Sequence, residues 1–291
     1  MKPPTIATLI DGLPTSLGSY APVIEEIEAA LESPECSLGT VGEAIEKDPD
    51  LTARLLRLGN SSFYGFSTRL ATVTEAISLI GIRQVEDLIV ASSIVERFAG
   101  VSDSFVSMES FWRHSLACGI GSRLLAMERR LPKPDKFFVA GLLHDVGRLV
   151  LFAQAPKATE EVFQLYQREQ LLLQEAEVRV LGYDHQQIAE ALMRYWNYPE
   201  NLVQAVAHHH QPAACELAPV EAAVVHLSDY VVNAMQIGSS GERHVSPLSA
   251  RAWERLRLPI DVLSSLVENI DEQIEAVQEI FLSHSGKTQK A

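Results

Sequence analysis

The sequence predicts an all-α protein, a helical bundle with a core of histidine and aspartate residues in its C-terminal half. Apolar residues recur at spacings of three and four along most of the chain, which is the period of an amphipathic helix. Alternating strands and hairpin signals of useful length are lacking. Histidine and aspartate residues fall inside apolar stretches of the second half, where burial is costly unless they are hydrogen-bonded or hold a metal.

Length and composition set the limits of the functional argument. The chain has 291 residues, 47% of them hydrophobic, which allows one large domain or two modest ones. A formal charge of −14 disfavours non-specific binding to nucleic acid or to an anionic membrane. Cys36, Cys118 and Cys215 form no CxxC pair, so we expect small core residues in a reducing cytoplasm. No membrane span or signal peptide is predicted.

Five helices are predicted in the first half of the chain. Ser33-Pro34 ends the first, Asp48 with Pro49 begins the third, and Gly81 separates the last two. The predicted ranges are 22–31, 38–46, 49–58, 74–80 and 83–98. Residues 100–107 show no regular pattern and are predicted to be a loop that separates the two halves of the chain.

The second half predicts longer helices, several of which carry a histidine or an aspartate. Asp184 is a good N-cap, and Gln187 completes a capping box, which places His185 in the first turn of a helix. The predicted ranges are 111–130, 136–152, 158–180, 185–196, 199–208, 220–235, 248–256 and 260–281. Gly141 and Gly147 flank a His-Asp pair where another helix or a ligand could come close.

Seven side chains on different helices could form one site. They are His114, His144, Asp145, His185, His209, His210 and Asp229. Each has an ordinary reading by itself: a helix histidine, a residue beside a cap, histidines at a helix C-terminus, or a solvated aspartate. Their joint occurrence in a helical bundle favours a metal site, because facing helices bring side chains together in the core. Imidazole and carboxylate ligands suit iron, manganese, zinc or nickel.

The order of these residues resembles the HD superfamily of metal-dependent phosphohydrolases, and the chain is most similar to the HDOD (HD-related output domain) proteins of bacterial signalling. The matching motifs are Leu13-Pro14, 48–58 (DPDLTARLLRL), 60–65 (NSSFYG), 76–81 (AISLIG), 111–115 (FWRHS), 142–147 (LLHDVG), 182–185 (GYDH), Trp196 and Pro199. The resemblance implies an HDOD domain at 13–230, with lobes at 13–100 and 108–230, and a helical extension at 231–291 that packs on the HD-like lobe.

The resemblance also implies a ligand set. The positions for a core metal would be His144, Asp145, Asp229 and His114, and those that complete a second metal would be His185, His209 and His210. One or two divalent ions are therefore expected, and two ions that share Asp145 could polarise a phosphate. We prefer His209 and His210 to His208 because they lie next to Gln211-Pro212, as in the family pattern.

Two departures from the hydrolase branch of the superfamily weaken a catalytic role. That branch has lysine where this chain has Arg148, and the two cations are not interchangeable beside a phosphate. It also has a Gly-Tyr-Pro element after the paired histidines, where residues 211–219 here read QPAACELAP.

Three interpretations follow. The first is a non-catalytic or weakly catalytic signalling module with a metal site. The second is a phosphohydrolase acting on a nucleotide or a cyclic dinucleotide, in which Asp145 and Arg148 would be catalytic and Arg113 and Arg194 would help to bind phosphate. The third is a scaffold whose histidines are only hydrogen-bonded.

The expected partners are unidentified signalling proteins and a nucleotide ligand, with neither nucleic acid nor membrane. An apolar stripe on the last helix would pack on its own domain, or else form a homodimer seam or a docking surface. The stripe comprises Leu263, Val267, Ile270, Ile274, Val277 and Phe281.

Overall fold

The structure, a computed structural model, describes residues 3–13, 21–33, 37–98 and 100–282. These residues form α-helices and no strand, as the sequence predicts. The helices are α1 (Ile6–Asp11), α2 (Ala21–Glu32), α3 (Leu38–Glu46), α4 (Pro49–Gly59), α5 (Val73–Ile80), α6 (Ile82–Arg97), α7 (Met108–Glu128), α8 (Pro134–Leu143), α9 (Val146–Gln154), α10 (Pro156–Glu169), α11 (Leu173–Leu181), α12 (His185–Tyr195), α13 (Glu200–Ala207), α14 (Pro219–Met235), α15 (Ala250–Leu256) and α16 (Val262–Leu282). Pro14, Pro34 and Cys36, singled out above, lie outside the described residues.

The predicted helix 136–152 is wrong in one respect, because the chain breaks at the His-Asp pair. Helix α8 ends at Leu143 and α9 begins at Val146, with Asp145 between them at φ −101° and ψ 10°. Adjacent residues of a continuous helix point in different directions. The break is therefore what allows His144 and Asp145 to face the same centre.

The predicted helix 158–180 is also two helices. Gln170 adopts a left-handed conformation with φ 52°, which ends α10 before α11 begins. Helix α1, with Thr5 as its N-cap, was not predicted because six residues are too few to show a helical period.

Contacts divide the described chain into two compact units. The first comprises residues 3–13 and 100–270, and the second comprises 21–33, 37–98 and 271–282. The second unit has an aliphatic core that includes Val41, Ile45, Val73, Ile77 and Val85. The domain limits 13–230 and 231–291 stay predictions.

The first unit is organised around α7 and α8, which pack closely because glycines line their contact. A methyl group at Gly119 would lie 2.9 Å from the Phe138 ring, and one at Gly141 would overlap the carbonyl oxygen of Cys118. Cys118 and Cys215 are buried free thiols, as expected of core cysteines.

Two apolar segments are largely buried. The stretch Pro134–Gln154 is long and apolar enough to cross a membrane, contrary to the sequence expectation, but 89% of its most apolar window is buried inside the protein. On α16, the stripe residues Ile270, Ile274, Val277 and Phe281 are at most 2% exposed, whereas Val267 is 37% exposed. Packing within the chain accounts for most of this stripe.

Candidate metal centre

The seven predicted side chains meet in one buried centre of the first unit. They come from α7 (His114), the break between α8 and α9 (His144 and Asp145), the start of α12 (His185), the segment after α13 (His209 and His210) and α14 (Asp229). All but His210 are at most 4% exposed, and His210 is half-buried. The centre is therefore an interior feature of the helical unit.

One set of donor atoms, which we name the first donor group, comprises His114, Cys118, His144 and Asp229. Its ligand atoms all lie within 4.8 Å of one another. The Oδ1 atom of Asp229 is 3.2 Å from Nε2 of His114 and 3.5 Å from Nε2 of His144. Asn233 donates a 2.7 Å hydrogen bond to the same oxygen, which holds the carboxylate in place.

The second donor group comprises Asp145, His185, His209 and His210, again with ligand atoms within 4.8 Å of one another. The Oδ1 atom of Asp145 is 3.1 Å from Nε2 of His185 and 3.8 Å from Nε2 of His209. The other oxygen of Asp145, Oδ2, lies 3.1 Å from Nε2 of His144 in the first group. The two oxygens of one carboxylate thus face the two groups.

Hydrogen bonds behind the centre fix the orientation of the histidine rings. The Nδ1–H groups of His144 and His209 donate to the carbonyl oxygens of Gly141 and Val206, each at 2.7 Å. Because a carbonyl oxygen only accepts, each Nδ1 carries a proton, and Nε2 is the ring nitrogen that faces the centre. Partners of this kind set the tautomer of metal-binding histidines in proteins.

Glu177 orients the third histidine in the same way. Its Oε2 atom accepts hydrogen bonds from Nδ1 of His185 at 2.6 Å and from the His185 backbone N–H at 2.9 Å. The carboxylate is only 2% exposed. Glu177 could not be predicted from the sequence, because nothing in the polar pattern of its helix marks it as buried.

Arg148 forms ion pairs and a hydrogen bond with other residues of the protein. Its guanidinium binds Oδ2 of Asp145 at 3.0 Å, Oε1 of Glu177 at 3.2 Å and Oγ of Ser240 at 2.6 Å, and the residue is 2% exposed. Arg148 therefore serves as the resident cation of the centre.

The segment after α14 covers this cation. Ser240 is 1% exposed, and Glu242 accepts hydrogen bonds from the hydroxyl of Tyr166 at 2.9 Å and from the backbone N–H of Leu173 at 2.7 Å. A side chain at Gly238 would overlap the carbonyl oxygen of Ser110, so the segment lies directly on α7. Ser240 could not be predicted as part of the centre, because its partner Arg148 is 92 residues away in the chain.

Other predicted residues lie outside the donor groups. His208 points its Nδ1 to the Gln204 carbonyl oxygen at 3.1 Å and belongs to neither group. Arg194 is 50% exposed and pairs with Glu190 and Glu200, so it does not contribute to a basic pocket at the centre. Arg113 is half-buried on α7 beside Gly238.

The charges of the centre shift the titration of its histidines. Burial lowers the pKa of His144, but the charge of Asp145 and hydrogen bonds to Asp145 and Asp229 outweigh burial and raise the pKa to about 10. For His185, burial and Arg148 lower the pKa, yet Glu177 and Asp145 raise it to about 9. In the metal-free protein, His144 and His185 are therefore both protonated at neutral pH.

The same interactions lower the pKa values of the two aspartates. Burial raises the pKa of Asp145, but Arg148, His144 and His185 hold it well below its usual range. Burial likewise raises the pKa of Asp229, and hydrogen bonds from His114 and His144 hold it well below. Both carboxylates are ionised and available as ligands at neutral pH.

These residues fit a divalent metal. The Nε2 atoms of His185 and His209 lie 3.4 Å apart, and each Nδ1 is already engaged as a donor. Two such lone pairs repel unless a proton or a cation lies between them. Both ring nitrogens of His210 are buried without a hydrogen-bond partner among the described residues. Imidazole and carboxylate donors in this number suit first-row transition metals.

Acid should destabilise the metal-free protein through His210. Burial and the neighbouring His185 lower the pKa of His210 to about 3, whereas an unfolded histidine titrates near about 6.5. Between these values only the unfolded chain takes up the proton, so stability falls as the pH falls, by up to about 1.4 kcal/mol per pH unit. The free energy of unfolding should be measured with urea between about pH 4.5 and 6.5, which lies within the range between the two pKa values. It should depend less steeply on pH in His210→Gln than in the parent protein.

His208→Gln is the matched control for this prediction, because His208 lies in the same segment but outside the donor groups. The free energy of unfolding of this control should depend on pH as steeply as that of the parent protein. Equal slopes for His210→Gln and the parent would contradict the prediction.

The fold and the centre together define a helical protein of the HD type, with a buried group of histidines and aspartates that could bind metal. The chain matches the HDOD domain over residues 17–212, more than half of its length, and it belongs to the HDOD family.

Solved structures of similar proteins have the same fold. An HDOD domain protein of unknown function from Geobacter sulfurreducens is 25% identical, with a TM-score of 0.76 and coverage of 94% of this chain and 95% of that chain. A proposed phosphohydrolase from Shewanella amazonensis SB2B is 22% identical, with a TM-score of 0.70 and coverage of 95% and 96%. A proposed signal transduction protein from Marinobacter aquaeolei VT8 is 22% identical, with a TM-score of 0.70 and coverage of 94% and 60%.

A curated relative is longer than this chain. An uncharacterised protein of Treponema pallidum (strain Nichols) is 23% identical over 209 residues, which is 71% of this chain and 39% of that protein. The match thus spans about two fifths of the relative's length.

Proposed function

We propose that this chain is a regulatory output module of bacterial signal transduction that holds divalent metal in its buried centre and has little or no catalytic activity. One observation carries the proposal. Arg148, the cation that a phosphate substrate would need, is buried and bound to Asp145, Glu177 and Ser240. The description of the Marinobacter relative as a proposed signal transduction protein agrees with this role.

In such a module the metal would stabilise the fold. The donor groups are built from helices that are distant in sequence. An ion in the first group would link α7 and α14, and an ion in the second group would link the α8–α9 break to α12. Because the unfolded chain has no such site, the free energy of binding adds to that of folding. Iron, manganese, zinc and nickel are the candidate ions, and one or two of them would be held.

Elemental analysis of the purified protein tests the proposal. We expect near-stoichiometric metal in the parent protein and its loss in His144→Ala and Asp145→Ala, because these residues belong to the two donor groups. His208→Ala, from outside both groups, should retain the metal. A parent protein that holds no metal after purification with these ions would contradict the proposal and leave a scaffold whose histidines are only hydrogen-bonded.

A metal-dependent phosphohydrolase is the second candidate, and the position of Asp145 favours it. Its two oxygens face the two donor groups, as a carboxylate shared by two ions would. The substrate class would be a nucleotide or cyclic dinucleotide phosphodiester. Turnover in the presence of Mn²⁺ or Fe²⁺ that disappears in Asp145→Ala would establish this activity and overturn the non-catalytic assignment.

The cellular setting is part of the same proposal. We place the module in the cytoplasm, where it would respond to a signalling protein or a nucleotide rather than to nucleic acid or membrane. The net charge of −14 supports the last two exclusions. A homodimer is compatible with the proposal.

A further inference from the structure

We propose that Cys118 is a thiolate ligand of the metal in the first donor group, which makes that position a closed site with four protein donors. The inference rests on the metal binding in the proposed function and adds a sulphur ligand that the resemblance does not supply. The four donors would be His114, Cys118, His144 and Asp229.

The separation of the donor atoms carries the argument. Zinc bonds of about 2.3 Å to sulphur and about 2.0–2.2 Å to nitrogen or oxygen, at tetrahedral angles, place ligand atoms about 3.3–3.6 Å apart. The Cys118 Sγ atom lies 3.6 Å from Nε2 of His114 and 3.9 Å from Oδ1 of Asp229. The distances from Asp229 Oδ1 to the two histidines are 3.2 and 3.5 Å. These four of the six separations in the group are therefore close to those of a tetrahedral site, and the other two are within 4.8 Å.

The backbone holds the thiol in this position. Cys118 is one helical turn after His114 on α7, so both side chains share a face. Its carbonyl oxygen accepts a 2.8 Å hydrogen bond from Ser228 on α14, and Gly141 of α8 packs against the same carbonyl. Cys118 is 0% exposed, so its Sγ atom meets the centre and not solvent.

Sulphur changes which ion the group prefers. On metal binding the thiol gives its proton to solvent, and the thiolate and the Asp229 carboxylate together balance a divalent charge. Thiolate ligands favour zinc, iron and cobalt over manganese and magnesium. Four protein donors, with Oδ2 of Asp145 beside them at 3.1 Å from Nε2 of His144, would leave no open position for a substrate, which is the arrangement of structural rather than catalytic sites. Any exchangeable ligand would then bind at the second donor group.

Cobalt spectroscopy of the whole chain tests the proposal. The metal-free protein would be titrated with Co²⁺, and a thiolate ligand would appear as a near-ultraviolet sulphur-to-cobalt charge-transfer band. We expect this band in the parent protein and its complete loss in Cys118→Ser. The matched control is Cys215→Ser, because Cys215 is also buried but packs beside Ala218 and Ala222.

A second variant keeps the test decisive if Cys118→Ser does not fold. The double variant Cys36→Ser/Cys215→Ser leaves Cys118 as the only thiol in the sequence. A band in this variant supports the proposal. Co²⁺ binding without the band, or a band that persists in folded Cys118→Ser, overturns the thiolate ligand while the metal-binding module stands. Failure to bind Co²⁺, Zn²⁺ or any other candidate ion overturns both.

Discussion

Replacing Arg148 with methionine should lower the free energy of unfolding of the metal-free protein by roughly 3–5 kcal/mol, the usual cost of removing one partner from a buried ion pair. Methionine keeps much of the volume but no charge, so Asp145 and Glu177 would stay buried without their shared cation. Urea unfolding at neutral pH would measure the loss. A bound divalent ion should narrow the gap between variant and parent because it supplies a cation near Asp145.

Arg179→Met is the matched control for this change. Arg179 also binds a glutamate, Glu169, at 2.8 Å, but the two side chains are 53% and 38% exposed. Exposed ion pairs contribute roughly 0–1 kcal/mol to the free energy of unfolding, so a small loss is expected. If Arg148→Met were no more harmful than Arg179→Met, Arg148 would not be the cation that balances the centre.

Gly147→Ala should lower the free energy of unfolding by roughly 1–3 kcal/mol, the range for adding volume to a packed interior. A β-carbon at this position would overlap the carbonyl oxygen of His185 and lie 3.0 Å from the backbone nitrogen of Ala189. Backbone atoms cannot rotate away, so α9 and α12 must separate. The gain in helix propensity of about 0.5–1 kcal/mol is too small to offset this clash. Thermal unfolding of the metal-free variant would measure the change.

The same substitution should also weaken metal binding, because the movement of α12 carries His185 away from Asp145. Gly100→Ala is the control, since a β-carbon there meets no atom within 4 Å. An unchanged melting temperature and metal affinity in Gly147→Ala would show that the contact between α9 and α12 is not rigid.

The sequence predicts those features that depend on neighbouring residues. Asp184 caps α12 with Gln187 in a capping box, as expected, and this places His185 at the first position of the helix. Gly141 and Gly147 lie where other helices approach, as their positions on both sides of the His-Asp pair indicated. Both features could be predicted because a helix cap and a close helix contact each depend on residue types within a few positions of one another.

Ion pairs and hydrogen bonds between residues that are distant in sequence cannot be predicted from such local patterns. Glu177 and Ser240 hold Arg148 across 29 and 92 residues, and neither lies in a recognisable motif. Arg194 was expected to help bind phosphate, but it forms an ion pair with Glu200 at the surface. Cys118 had a usable signal, the four-residue spacing from His114, but a thiol in an apolar helix also reads as an ordinary core residue.

The hydrogen bonds of Glu242 have a consequence for the residence time of a bound ion. Glu242 ties the segment over Arg148 to Tyr166 and to the first residue of α11, and the donor side chains beneath are almost wholly buried. An ion inside such a centre leaves only when part of the wall opens, so its escape is limited by local unfolding and not by diffusion. If the centre binds metal as proposed, the ion that is present while the chain folds would be the ion the protein keeps, and metal supply during synthesis would be part of its specificity.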